Sequence, residues 1–172
     1  MLIDPLVSPN RGSYLLWYYL PRATLLNVGR LGRQSFVRGW YGYCGSAMGP
    51  GGLRARLRHH LSPPSRHHWH IDYFKSSACL REIWLCEGDN REHDLSFKLT
   101  ELGAQVPVAG FGSSDCRCIS HLVRLPSYSL VRQISRKAAF ETGFRRLAGS
   151  VVRSRSASCV KGIINERAFP VD

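Results

Sequence analysis

A chain of 172 residues, 44% of them hydrophobic, has the material for one core plus appendages. Its 24 Lys and Arg against 12 acids leave a formal charge of +12, which points to a polyanionic partner because basic side chains at phosphates release counterions. The longest apolar run, Leu15 to Leu20, is far short of the ~20 residues that cross a bilayer, and the start carries Asp4 rather than a basic-then-apolar leader. We therefore expect a cytoplasmic protein with no membrane partner, and nothing in the chain sets its oligomeric state.

In chain order, Ser13 to Leu20 has the pattern of a buried strand. Pro21 closes it, and Leu25 to Gly29 and Phe36 to Cys44 are predicted to continue as strands, with glycines 29, 32 and 39 marking turns. The expected result is a small antiparallel meander. Leu53 to Leu61 reads as a helix whose stripe is Leu53, Leu57 and Leu61, stopped by Pro63-Pro64. Trp69 to Tyr73 is short and mixed, while Arg81 to Cys86 predicts another strand. Asn90 is read as a helix cap before a second helix, Glu92 to Leu102, with Leu95, Leu99 and Leu102 inward and Gly103 as its stop. Val106 to Gly112 is a loop or edge strand, and Ile119 to Leu125 returns to the sheet. Beyond Pro126 the chain turns basic: Val131 to Leu147 reads as a helix and 150 to 158 as a flexible serine-rich stretch. The fold class is thus α/β in the α+β sense, a mainly antiparallel sheet flanked by helices over 11–124, with a basic extension over 125–172.

Chemistry concentrates in Tyr41 to Leu57, where a strand ending on tyrosine feeds a glycine-rich turn and an Arg-studded helix. Glycines let backbone approach a ligand, a helix N-terminus favours an anion, and arginine binds phosphate oxygens bidentately. Gly45, Ser46, Arg54 and Arg58 are accordingly read as substrate contacts. Arg56 and His60 share a helix face one turn apart, at the edge of the leucine stripe, which suits a site between helix and sheet. Glu92 falls almost in line with Leu99 on the second helix, so a cation is expected to meet it, whereas Asp94 points away.

Gly12-Ser13-Tyr14 and Tyr43-Cys44-Gly45 resemble the two signature triplets of the GIY-YIG nuclease superfamily. Three further stretches, Gly45 to Leu53, Trp69 to Tyr73 and Gly110 to Cys118, resemble a branch also found fused to endonuclease III in some archaea. The resemblance covers 11–124 and implies a GIY-YIG-type sheet. It also implies a metal-dependent endonuclease that hydrolyses nucleic-acid phosphodiester bonds, DNA rather than RNA, in repair or processing. On that basis Tyr14 and Tyr43 orient or deprotonate the attacking water and Arg56 clamps the scissile phosphate. Glu92 holds Mg²⁺ or Mn²⁺, hard ions that prefer oxygen ligands. His60 or His70 shares the proton work. Placing Arg56 in its role requires a loop two residues longer than the family's. The asparagine that usually follows the glutamate has no counterpart beyond the candidates Ser113, Ser114 and Asp115.

Each of these residues also has a structural explanation. Tyr14 and Tyr43 can be core aromatics, Arg56 a solvated face residue, and Glu92 a carboxylate favoured by the helix dipole. Asp72 can fix a neighbouring ring, and His59, His67 and His68 are expected to face solvent. Two other functions follow: a non-catalytic nucleic-acid-binding module on the same fold, or a zinc-stabilised interaction domain. Cys116, Cys118 and His121 are zinc-ligand types, but Cys-x-Cys is tighter than the usual Cys-x2-Cys and no fourth ligand is evident. The six cysteines are expected to be mostly reduced.

Overall fold

The apolar run at the start of the chain becomes the central strand of the sheet. The computed structural model describes residues 7–62 and 67–147. Strand β1 (Gly12–Leu20) pairs antiparallel with β4 (Gly39–Ser46) on one side and β5 (Cys79–Glu87) on the other. Outside them lie β6 (Leu122–Leu125), on β4, and the short β7 (Arg145–Arg146), on β5. All four pairings are antiparallel, in the order β6-β4-β1-β5-β7. Among the described residues four α-helices complete the mixed α+β fold: α1 (Gly52–Leu61), α2 (His70–Lys75), α3 (Glu92–Glu101) and α4 (Tyr128–Thr142). No described helix is long and apolar enough to cross a membrane.

Both faces of the sheet are covered, and the alternation along β1 sorts its side chains between them. Tyr14, Leu16, Tyr18 and Leu20 join an apolar cluster with Leu53 and Leu57 of α1 and Ile71 and Phe74 of α2. Leu15 and Trp17 join a second cluster with Leu95 and Leu99 of α3 and Val131, Ile134 and Ala138 of α4. Gly12 is forced to be glycine, because a Cβ there would strike the Cys86 carbonyl of the paired strand. The second face also buries a charge. Glu82, 3% exposed, accepts from Trp84 Nε1 and from the Tyr128 hydroxyl, and Arg146 lies 3.0 Å away.

The expected meander is not formed. Strands β2 (Thr24–Asn27) and β3 (Arg33–Phe36) make a separate hairpin, closed by a 3-10 turn at Gly29–Leu31, and β4 begins afresh at Gly39 to pair with β1. The mixed Trp69–Tyr73 stretch is largely helical, as α2, because Asp72 accepts from the backbone N–H groups of His68 and Trp69 and closes the first turn. Asn90 is one residue early for the cap: Arg91 holds that position, and Asn90 Oδ1 receives the Glu92 N–H at 3.4 Å. Cys44, Cys86, Cys116 and Cys118 are free thiols, and Cys79 is disulfide-bonded. The readings made for Pro63-Pro64 and for 150–158 lie outside the described residues.

Helix α4 is a working part of the core, and only its outer face is basic. Ser127 caps it by accepting from Leu130 N–H, and Gly143, at φ 76°, ends it in the left-handed region glycine permits. Ala138 is fully buried, whereas Phe140 two residues on is 93% exposed. Ala138→Glu should therefore lower the urea midpoint sharply by forcing a carboxylate into the core. Phe140→Ser should leave the midpoint nearly unchanged, and equal effects would mean that α4 is not packed as described.

Candidate active site

The β1–β4 register sets Tyr14 opposite Gly45 and Leu16 opposite Tyr43. Both tyrosines thus lie on the α1 face, with ring centroids 6.5 Å apart. Only glycine fits beneath Tyr14, since a Cβ on Gly45 would collide with the phenol ring and its hydroxyl. Helix α1 buries Leu53 and Leu57 against this face and so delivers His60, 4% exposed, with Nε2 2.8 Å from the Tyr14 hydroxyl. One turn earlier, Arg56 is half-buried and holds its guanidinium 4.3 Å above the Trp69 ring, a cation–π contact that aims it. Tyr14, Tyr43 and Arg56 line a cleft of about 450 Å³ together with Ser46, His70 and Glu92.

Burial governs the protonation of this cleft. It pushes both tyrosines up, Tyr43 well above the usual phenol value, and the Arg56 charge only partly opposes the rise at Tyr14. Burial also drives His60 down to about 3, so its ring is neutral at physiological pH. His60 Nδ1 has no partner among the described residues, and an orphaned lone pair costs less than an orphaned N–H. We therefore assign the proton to Nε2, which donates to the Tyr14 oxygen and leaves the phenol O–H free for the cleft. His70 is similarly constrained: its Nδ1 accepts from Gly112 N–H at 2.9 Å, so Nε2 carries the proton of the neutral ring, and burial lowers its pKa.

Glu92 opens α3, the helix on the opposite face, and enters the cleft around the end of the sheet. Its side chain is 14% exposed, and Oε1 lies 2.9 Å from Nδ1 of the buried His121, in ion-pair range though off the axis of a straight hydrogen bond. Burial alone would raise the carboxyl, but His121 and the Ser46 hydroxyl outweigh it and hold it below the usual carboxylate range. The group that meets Glu92 is thus a histidine ring. One ionised carboxylate in a polar cleft, with Asp115 as a second along its wall, fits a hard divalent ion that keeps most of its waters.

Some expected contacts lie elsewhere. Arg54 donates Nε to the Val7 carbonyl at 2.9 Å, Arg58 is exposed, and neither lines the cleft. The glycine-rich turn serves its own chain: a Cβ on Gly52 would strike the carbonyls of Pro9 and Asn10, and Asn10 O takes the Leu53 N–H that an anion would need. Gly45 acts through the Tyr14 ring above it. His59 is half-buried, bound through Nε2 to Asp72 at 2.8 Å, so Asp72 does fix a neighbouring ring. Burial opposes ionisation of Asp72, but the Trp69 N–H, Lys75 and His59 outweigh it and hold the carboxyl well down. His68 and His93 line the cleft unforeseen: His68 lies in a stretch without periodicity, and the leucine stripe of α3 says nothing of what its first-turn His93 meets.

The His60 environment has a sign that stability reports. Its pKa falls from 6.5 to about 3 on folding, so between those pH values the unfolded chain binds the extra proton and stability drops as pH falls. His60→Gln should flatten the dependence of the urea midpoint on pH across that window. An unaltered slope would mean that His60 is not held neutral.

Residues 13–143, most of the chain, match the model of a family described as domain of unknown function DUF123. No curated protein and no solved structure matches. The match begins within β1 and runs through α4 to Gly143, so it takes in Tyr14, Tyr43, Arg56, Glu92 and the helix that closes the second core cluster. The chain belongs to the DUF123 family.

Proposed function

We propose that the cleft hydrolyses nucleic-acid phosphodiester bonds, as a GIY-YIG-type endonuclease acting on DNA in repair or processing. The observation that carries this reading is convergence. Tyr14, Tyr43, Arg56, His70 and Glu92 come from β1, β4, α1, α2 and α3, and all five line one cleft. A net charge of +12 supplies the long-range attraction a polyanion requires.

Each group has a role its surroundings suit. Arg56, steadied by Trp69, binds the scissile phosphate and neutralises charge on its equatorial oxygens. Tyr43, kept protonated by burial, donates to a phosphoryl oxygen, as does the Nε2–H of His70. Tyr14 handles the attacking water. Burial keeps its phenol protonated despite the Arg56 charge, and because the His60 N–H occupies the oxygen from the other side, the O–H is free to orient that water. The water's proton passes to solvent as the new O–P bond forms and the bond to the leaving oxygen breaks, that oxygen being protonated from solvent. Mg²⁺ or Mn²⁺ on Glu92 would supply Lewis-acid stabilisation of the phosphoryl and leaving oxygens.

Labelled single-stranded, duplex, branched and flapped DNA, incubated with Mg²⁺ or Mn²⁺, tests the proposal. Glu92→Ala and Arg56→Ala should each lower cleavage by about 10²-fold or more, the scale of losing one transition-state contact. Glu92→Ala should keep most of its DNA affinity. Binding without cutting on every substrate would leave a non-catalytic nucleic-acid-binding module instead, and cutting at the wild-type rate by Glu92→Ala would overturn the catalytic assignment.

A further inference from the structure

The connection from α3 to β6, residues 102–121, has no regular element beyond one isolated bridge between Gln105 and Arg124. Compact domains seldom leave so long a loop unsupported. This one meets the first turn of α3 through four metal-ligating side chains. His93 Nδ1 lies 3.1 Å from Cys118 Sγ, and His121 Nε2 lies 3.3 Å from Cys116 Sγ. The ligand atoms of His93, Cys116, Cys118 and His121 all fall within 4.8 Å of one another.

We infer that these four residues form a structural Zn²⁺ site that staples the 102–121 loop to α3. Tetrahedral zinc, with Zn–S near ~2.3 Å and Zn–N near ~2.0 Å, separates neighbouring sulfur and nitrogen ligands by about 3.5 Å. The observed spacings need only small side-chain adjustments to reach that arrangement. The fourth ligand, missing from the Cys-x-Cys…His reading, is His93, supplied 23 residues upstream of Cys116 by the helix that carries Glu92. Two thiolates and two imidazoles select zinc over Mg²⁺, and four protein ligands leave no open position for catalysis. The ring nitrogens are consistent with this: His121 turns Nε2 to the sulfur and Nδ1 to Glu92 Oε1, 2.9 Å away, the carboxylate that commonly backs a metal-bound imidazole. The same loop supplies Gly112, which fixes His70, and Asp115 of the cleft wall, so the ion holds one side of the cleft in place. The zinc site stands whether or not the cleft cuts nucleic acid.

Full-length protein purified without chelators should carry about one zinc per chain by elemental analysis. Cobalt substitution should give the intense visible absorption of tetrahedral, thiolate-bound Co²⁺. His93→Ala and the double variant Cys116→Ser/Cys118→Ser should lose most of the metal, while Cys86→Ser, a free thiol outside the cluster, should retain it. If the ligand variants do not fold, the metal content and cobalt spectrum of the wild-type protein decide. Folded wild-type protein that binds neither ion, zinc retained at full stoichiometry by the folded ligand variants, or a Cys116–Cys118 disulfide in the intact mass would overturn the inference.

Discussion

Tyr14 lies across the space that a side chain on Gly45 would fill, and its hydroxyl meets His60 from the helix above. That contact sets three elements at once. It fixes how closely β1 and β4 can carry their aromatics, it sets the depth at which α1 sits, and through α1 it places Arg56 one turn away. A methyl group at position 45 would collide with the ring and its hydroxyl and so disturb the contact with buried His60. The cleft geometry thus depends on an omission of one atom in a strand where β-branched residues would otherwise be favoured.

Much of this was legible in the chain because its burial is periodic. The unbroken apolar run at Leu15 to Leu20 becomes a strand covered on both faces, and Leu53, Leu57 and Leu61 mark the inward side of α1. Placing Leu95 and Leu99 inward puts Glu92 near the same line, and the side chain is indeed mostly buried with a histidine against it. What stayed hidden was non-local or aperiodic. α2 is only six residues long, too short to show a period: Ile71 and Phe74 pack inward and the carboxylate of Asp72 closes the first turn. The two strands of the hairpin are as strand-like as their neighbours, and no local signal tells β3 from β4 as the partner of β1. The glycine-rich turn has the composition of a phosphate cradle, but the segment Pro9–Asn10 occupies the space that Gly52 opens. His93 joins the cluster of Cys116, Cys118 and His121 only through folding of a twenty-residue connection.

Two buried acids show how differently the two layers are organised. Asp72, fully buried beneath α1 and α2, gathers two backbone N–H groups, Lys75 and His59, and so ties the end of α1 to the start of α2. Glu82, on the other face, gathers Trp84, Tyr128 and Arg146 and ties the central sheet to α4 and β7. Each is satisfied by several donors, as a charge in a dry interior must be. Neither lines the cleft, yet each anchors a layer that does.

The cleft draws its groups from both layers: Arg56 and His70 ride on the α1–α2 side, while Glu92 rides on the α3–α4 side and reaches around the end of the sheet. No single apolar cluster holds all of them. The cleft geometry is therefore a vernier between two independently packed half-cores, with the sheet as its fixed scale. A sub-ångström slip of either layer changes the spacing between guanidinium and carboxylate before it changes the fold.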